Sequence, residues 1–175
     1  MIPANEIRER AAQFGVPEDQ VVRDYLISHV IQALSTIAEP AITFFGGTAL
    51  CRTWCGDSRL SEDIDLLVDH HLAAAQAFPA LITRALRREF PNAVWSDVER
   101  RHEVDTKMLY GGDGTVVKVQ FVQWRRGWEI LPVARTAVDA HEIGRGFVSG
   151  EQLFAFEKSH RRSSIPFPTL ADDRR

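Results

Sequence analysis

Residues 63–68 read Asp-Ile-Asp-Leu-Leu-Val, and this short run constrains the chain more than any other. An apolar stretch of this length bounded by polar residues reads as a strand. Successive side chains of a strand point to opposite faces. Asp63 and Asp65 therefore face one way, while Ile64 and Leu66 enter a core. The fold must supply a sheet with one buried face and another that tolerates two neighbouring anions. Two such anions repel unless a cation sits between them. Hard oxygen ligands of this kind suit Mg²⁺, with Mn²⁺ as the alternative, because Mg²⁺ usually takes one or two carboxylates plus substrate phosphates. Upstream stands Phe44-Phe45-Gly46-Gly47-Thr48-Ala49-Leu50. Its glycine pair lets backbone N–H groups come close to a phosphate. Together the two segments read as a nucleotide-and-magnesium site for phosphoryl or nucleotidyl transfer.

The rest of the composition sets limits on what surrounds that site. With 175 residues, 45% apolar and 26% charged, the chain fits one domain with a real core. A net charge of -3 argues against a generally basic nucleic-acid binder, though not against a local basic patch. No apolar run approaches the roughly 18 residues of a membrane span. Met1-Ile2-Pro3-Ala4-Asn5-Glu6 has neither the charged nor the apolar region of a signal peptide, so a cytoplasmic location with no membrane partner is expected. Cys51 and Cys55 are the only cysteines. Two ligands without a partner pair make no zinc site, and small buried or inert thiols are the expectation. His70, His71 and His102 show no ligand spacing and read as surface.

Periodicity and turn residues predict the order of elements. Helices cover residues 3–14, ended by Gly15 and Pro17, and 18–37. Residues 41–45 form a buried strand, which Gly46-Gly47 turns into a helix over 48–54, its N-terminal N–H groups aimed at the turn. Strand 63–68 precedes an amphipathic helix over 72–90. Strands over 94–100, 103–110 and 115–122 follow, the last two joined by Gly111-Gly112-Asp113-Gly114 as a hairpin loop. Residues 130–133 extend or cross the sheet, and 136–145 carry no clear pattern. A final helix is expected over 149–162, with Ser149 as its cap, before a loop-like tail over 163–175. The whole is an α+β arrangement around a mixed or mostly antiparallel sheet flanked by helices. It is read as a single domain over 1–175, with N-terminal helices in 1–40 and a C-terminal helix plus tail in 149–175.

Phe45-Gly46-Gly47-Thr48-Ala49-Leu50, followed by Arg59-Leu60-Ser61-Glu62-Asp63-Ile64-Asp65-Leu66, resembles the first motif of the AbiEii/MenT nucleotidyltransferase toxins, within the DNA polymerase β-like superfamily. The likeness continues weakly through Val116-Val117-Lys118-Val119-Gln120-Phe121. It returns in Leu153-Phe154-Ala155-Phe156-Glu157-Lys158 and Asp172-Asp173, which is similar to the family's later lysine-plus-aspartate motif. The resemblance implies transfer of a nucleoside monophosphate from an NTP to an acceptor. For MenT-like toxins it implies the 3′ end of tRNA, with aminoacylation blocked and a cognate antitoxin as partner. Other acceptors, a protein hydroxyl or a small molecule, remain open, as does a degenerate module that binds without turnover.

On this reading Asp63 and Asp65 are catalytic and hold the metal. Gly46, Gly47 and Thr48 cradle phosphates, helped by Ser61, Arg59 and Lys118, with Arg52 a further candidate for a bidentate phosphate contact. The resemblance makes Lys158 a phosphate-neutralising group and Asp173 its partner or the group near the acceptor, with Asp172 as the competitor of Asp173. Two departures stand out. Gln120 occupies a position where family sheets often carry an acid, and the sequence stops at Arg175 where many relatives continue into a helical region. The basic clusters Arg125-Arg126-Gly127-Trp128, Arg161-Arg162 and Arg174-Arg175 suit RNA backbone and base stacking, or simply a solvated surface.

Overall fold

A computed structural model describes residues 2–36, 42–53, 60, 62–124, 129–130 and 155–156; the side chains of 35, 50–53 and the last two segments are not part of that description. Helix α1 (Ala4–Phe14) ends where sequence predicts it. Gly15 takes the left-handed conformation at φ 65°, which glycine adopts without penalty. The N–H groups of Gly15 and Val16 both donate to Ala11 O, closing the last turn. Helix α2 (Glu18–Ser35) starts just after Pro17, with Glu18 and Asp19 in its first turn, where acidic residues complement the helix dipole.

Strand β1 (Ile42–Phe45) runs directly into α3 (Gly46–Thr53). The glycine pair thus forms the first turn of that helix rather than a loop before it. Strand β2 (Asp63–Val68) matches its sequence expectation, and α4 (His71–Leu86) follows. The expected helix to residue 90 stops earlier, although Glu89 N and Phe90 N still donate to Leu86 O and carry the chain round in tight turns. Strands β3 (Val94–Arg101), β4 (Val104–Tyr110) and β5 (Val116–Gln123) form a meander. The β4–β5 loop closes with Gly111 N donating to Thr115 O at 2.8 Å.

These five strands make one mixed sheet in the order β1-β2-β5-β4-β3. Only the β2–β5 pairing is parallel; the other three are antiparallel. Two further short strands, β6 (Glu129–Ile130) and β7 (Ala155–Phe156), pair with each other and stand outside the main sheet. The final helix expected over 149–162 is therefore wrong at residues 155–156, and its remainder lies outside the described residues. A short apolar run such as Leu153-Phe154-Ala155-Phe156 fits either period, and the partner strand at 129–130 decides for extended backbone. Among the described residues no helix is long and apolar enough to cross a membrane.

The two faces of the main sheet differ sharply. Ile64, Leu66, Val117, Val119, Phe121 and Leu109 are fully buried on one of them. There they form a single core with Leu26, Ile27 and Ile31 of α2 and Phe78, Ile82 and Leu86 of α4. Phe78 and Phe121 pack as a tilted pair with centroids 5.9 Å apart. α1 adds a satellite cluster in which Ile7 and Phe14 lie against Val21, Ile2 and Leu60. The opposite face carries Asp63 and Asp65 on β2, Lys118 and Gln120 on β5, and Thr106 and Met108 on β4, all only partly buried.

Phe121 sits at the centre of the core, so Phe121→Ala is expected to cost about 3–5 kcal/mol. Urea unfolding should show a lower midpoint with an unchanged slope. Val98→Ala, at an exposed bulge position of β3, should shift stability by no more than about 0.5 kcal/mol.

Candidate active site

The site forms where β2 lies between an antiparallel and a parallel neighbour. The β1–β2 register sets Phe45 opposite Asp65, so the chain leaves β1 and begins α3 immediately beside that carboxylate. Gly46 has φ 82°, and a Cβ built there would lie 2.3 Å from Asp65 Oδ2. Glycine is thus required twice over, by the left-handed backbone and by the carboxylate against it. The N-terminal turn of α3, whose N–H groups favour anions, begins beside Asp65.

Across the parallel pairing, Asp63 stands opposite Lys118 and Asp65 opposite Gln120. Lys118 Nζ lies 3.3 Å from Asp63 Oδ2. The other oxygen, Oδ1, accepts a hydrogen bond from Thr48 Oγ1 at 3.2 Å. Thr48 is completely buried. Its hydroxyl is therefore committed to Asp63, and only its backbone N–H is left for a phosphate. Gln120 Nε2 donates to Thr106 Oγ1 at 3.4 Å, in register across β4–β5.

The two carboxylates differ electrostatically. Burial, then repulsion from Asp63, pushes Asp65 up from the usual 3.8 to about 6, against a smaller downward pull from Lys118. Asp65 remains mostly ionised at neutral pH, but at a cost that a cation on the open face would remove. Two hard carboxylate oxygens converging on one side, beside a glycine cradle, are a donor set that fits a divalent ion such as Mg²⁺. Among the described residues no three His, Cys, Asp or Glu side chains come together as a metal-holding group.

Of the candidates named from sequence, the structure brings together Gly46, Gly47, Thr48, Asp63, Asp65 and Lys118. Arg59, Ser61, Lys158, Asp172 and Asp173 lie outside the described residues, as do the side chain of Arg52 and the three basic clusters. The support that Thr48 gives Asp63 and Thr106 gives Gln120 was missed. The β4–β5 register could have been counted outward from the glycine-rich hairpin, but nothing in the sequence marks a hydroxyl fifteen positions from its carboxylate. His71, expected on the surface, is half-buried: its Nδ1 lies 2.9 Å from Gln123 Oε1, which also accepts from the His71 N–H. This fixes the start of α4.

The carboxylate pair thus lies on the open face of a five-stranded mixed sheet, beside a strand-to-helix glycine turn. A model of the family described as "Nucleotidyl transferase AbiEii toxin, Type IV TA system" matches residues 32–140. That is more than half of the chain, which therefore belongs to the AbiEii family of nucleotidyltransferase toxins. Its fold is similar to that of MenT4, a nucleotidyltransferase toxin of Mycobacterium tuberculosis H37Rv. The TM-score is 0.53 at 15% identity, over 86% of this chain and 53% of that one, so the chain spans about half the length of that toxin. Terminal uridylyl transferase 4 of Trypanosoma brucei, in a structure with bound GTP, aligns with a TM-score of 0.29 at 16% identity, over 54% of this chain and 32% of that one, too low to bear on the argument. No curated protein sequence matches the chain.

Two outcomes test this geometry. Gly15 and Gly46 are both left-handed, but only Gly46 has atoms in the way of a Cβ. Gly15→Ala should cost roughly 1–2 kcal/mol, and Gly46→Ala distinctly more. Part of the excess should return in Gly46→Ala/Asp65→Ala, since removing the carboxylate relieves the clash; additive losses in this cycle would count against the contact. The second outcome concerns pH in metal-free buffer. A carboxyl whose folded pKa is raised favours the folded state when protonated. Its contribution is fully present below pH 3.8 and is lost as pH rises through about 6. Asp65→Asn should then melt higher than the unsubstituted chain above pH 6, with the gain disappearing below about pH 4.

Proposed function

We propose that the chain transfers a nucleoside monophosphate from an NTP to the 3′ end of tRNA, blocking aminoacylation, and that it does so in the cytoplasm under the control of a cognate antitoxin. The observation that carries the reading is the convergence of Asp63 and Asp65 on one open sheet face at the N-terminus of α3. In this reading Asp63 and Asp65 hold Mg²⁺ or Mn²⁺, which when bound would neutralise the triphosphate and ease departure of pyrophosphate. The residues themselves bind and orient. Gly46, Gly47 and the Thr48 N–H receive phosphate oxygens at the helix N-terminus. Thr48 Oγ1 donates to the Asp63 carboxylate and orients it. Lys118, already at Asp63, faces the same phosphates as a cation. Arg59, Ser61 and Lys158 complete the phosphate shell, and Asp173 stands near the acceptor.

The terminal ribose hydroxyl forms a bond to the α-phosphorus, the bond from that phosphorus to the oxygen bridging it to the β-phosphorus breaks, pyrophosphate leaves, and the hydroxyl proton goes to a base near the acceptor. Positioning and charge neutralisation do most of the work in such a transfer. Single-domain organisation over 1–175 is part of the same proposal.

The test is incubation of the protein with each labelled NTP, Mg²⁺ and total tRNA. Label is expected on tRNA, abolished by EDTA and reduced at least about 10²-fold by Asp63→Ala, the scale of losing one preorganised charge-stabilising group. Label on protein instead would move the acceptor. Nucleotide binding with label on nothing would make the chain a binding module, the outcome that Gln120 in place of an acid would then explain.

A further inference from the structure

Leu109 is fully buried in the core, so its neighbours Met108 and Tyr110 stand on the opposite, open face of β4. The strand registers carry that face outward from the carboxylates in rows. Asp63, Lys118 and Met108 form one row across β2, β5 and β4. The next row along runs from Val116 through Tyr110 to Val94. Tyr110 is 38% and Val94 58% exposed, and Val116 is partly buried, so this row is an apolar ledge with an aromatic ring at its middle. Neighbouring strands lie about 4.8 Å apart and two residues of a strand span about 7 Å, which sets Tyr110 Cα roughly 12 Å from Asp63 Cα. One nucleotide and the length of a tyrosine side chain together span that gap.

A nucleotidyl transfer gives the two sides of the carboxylate pair different occupants. The entering and leaving oxygens lie roughly in line through the phosphorus. With the leaving pyrophosphate on the first turn of α3, at the β1 side of the site, the entering hydroxyl comes from the opposite direction, that of β5 and β4. We propose that the ledge of Met108 and Tyr110 seats the terminal base of a single-stranded RNA 3′ end, with the Tyr110 ring stacked on it, so that the hydroxyl of that nucleotide arrives at the carboxylates. Every base has a π-face, so stacking on an aromatic side chain holds a strand end without demanding a particular base. Lys118 suits the same occupant. Its side chain is 42% exposed and lies between the carboxylates and the ledge, a cation on the path of a polyanion. Further out on this face the charge of Glu99 is met by Arg101 at 2.7 Å. The inference rests on the nucleotidyltransferase reading of the site and names its acceptor subsite.

The measurement has two arms, both on the full-length chain. In the labelling assay, Tyr110→Ala should raise KM for tRNA at least about fivefold, the low end of the loss when an aromatic stacking partner is removed, while KM for the NTP stays within about twofold. Tyr110→Phe keeps the ring and should recover most of that loss. Leu81→Ala, at a similarly exposed position of α4 on the other side of the sheet, should move neither value. In the binding arm, a short RNA with 2-aminopurine as its 3′-terminal base should lose fluorescence on saturation with the unsubstituted chain and with Tyr110→Phe, and keep most of it with Tyr110→Ala. Circular dichroism checks that each variant is folded. A folded Tyr110→Ala with unchanged KM for tRNA, or with its quenching intact, would overturn the inference. So would an unsubstituted chain that leaves the 2-aminopurine unquenched, a result that decides even where a variant does not fold. Quenching that depends on Tyr110, with label on no RNA, leaves this inference standing and removes the transfer proposed above. Label on tRNA that Tyr110→Ala does not impair does the reverse. Label on protein, with no response from the RNA, removes both the ledge and the tRNA acceptor.

Discussion

The contact between Asp65 and Gly46 is the constraint on which the rest of the site depends. β2 can bring a half-buried carboxylate against the start of α3 only if the residue there has no Cβ and accepts a left-handed backbone. That single allowance fixes the angle at which the chain leaves β1. It places the first turn of a helix beside two anions, and it brings Thr48, two residues further on, over Asp63. The apolar residues of the same segments are equally committed. Phe44 enters the core from β1, Ala49 from α3, and Ile64 and Leu66 from β2. Polar geometry on one face of the sheet is thus held by packing on the other, and a shift of β2 by one residue would turn both carboxylates into that core.

Much of this could be read from residues alone because it depends on short-range periodicity. The alternation in Asp63-Ile64-Asp65-Leu66 assigns faces without knowledge of any partner strand, and Gly15, Pro17 and the glycine run at 111–114 mark their boundaries by backbone chemistry. What could not be read depends on pairing between distant segments. That Lys118 meets Asp63, and Gln120 meets Asp65, follows from the parallel β2–β5 register, set across an intervening helix and two strands. The same limit explains residues 155–156. Phe154-Ala155-Phe156 suits a helix face as well as a strand, and only the pairing of Ala155 with Ile130 distinguishes them. For α4 the error was one of length, because Pro91 is a visible stop whereas the tight turns after Leu86 leave no mark in the hydrophobic pattern.

Charge on the two sides of the sheet is handled by different means. On the packed side Asp105 is almost fully buried but receives Arg100 Nε at 3.1 Å, and Lys107, buried beside it, pairs with Asp97. Asp105 and Lys107 each meet an opposite charge on β3, so the two strands are tied together by these pairs. Among the described residues the balance on the open side is incomplete. Asp63 has Lys118 and Thr48, while burial and a like-charged neighbour outweigh the pull of Lys118 on Asp65. The contrast is between ion pairs that close on themselves and two carboxylates that share one ammonium.

That incompleteness makes stability and ligand binding two readings of one quantity. Whatever lowers the cost of ionised Asp65 stabilises the folded chain by the same amount as it gains in affinity, since binding to the folded state alone shifts the unfolding equilibrium. Asp63 is held by a buried hydroxyl and an ammonium, whereas Asp65, pressed against a backbone with no side chain, has its position set by the strand. The positions of Asp63, held by Thr48 Oγ1 and Lys118, and of Asp65, held against Gly46, are thus set by the fold itself.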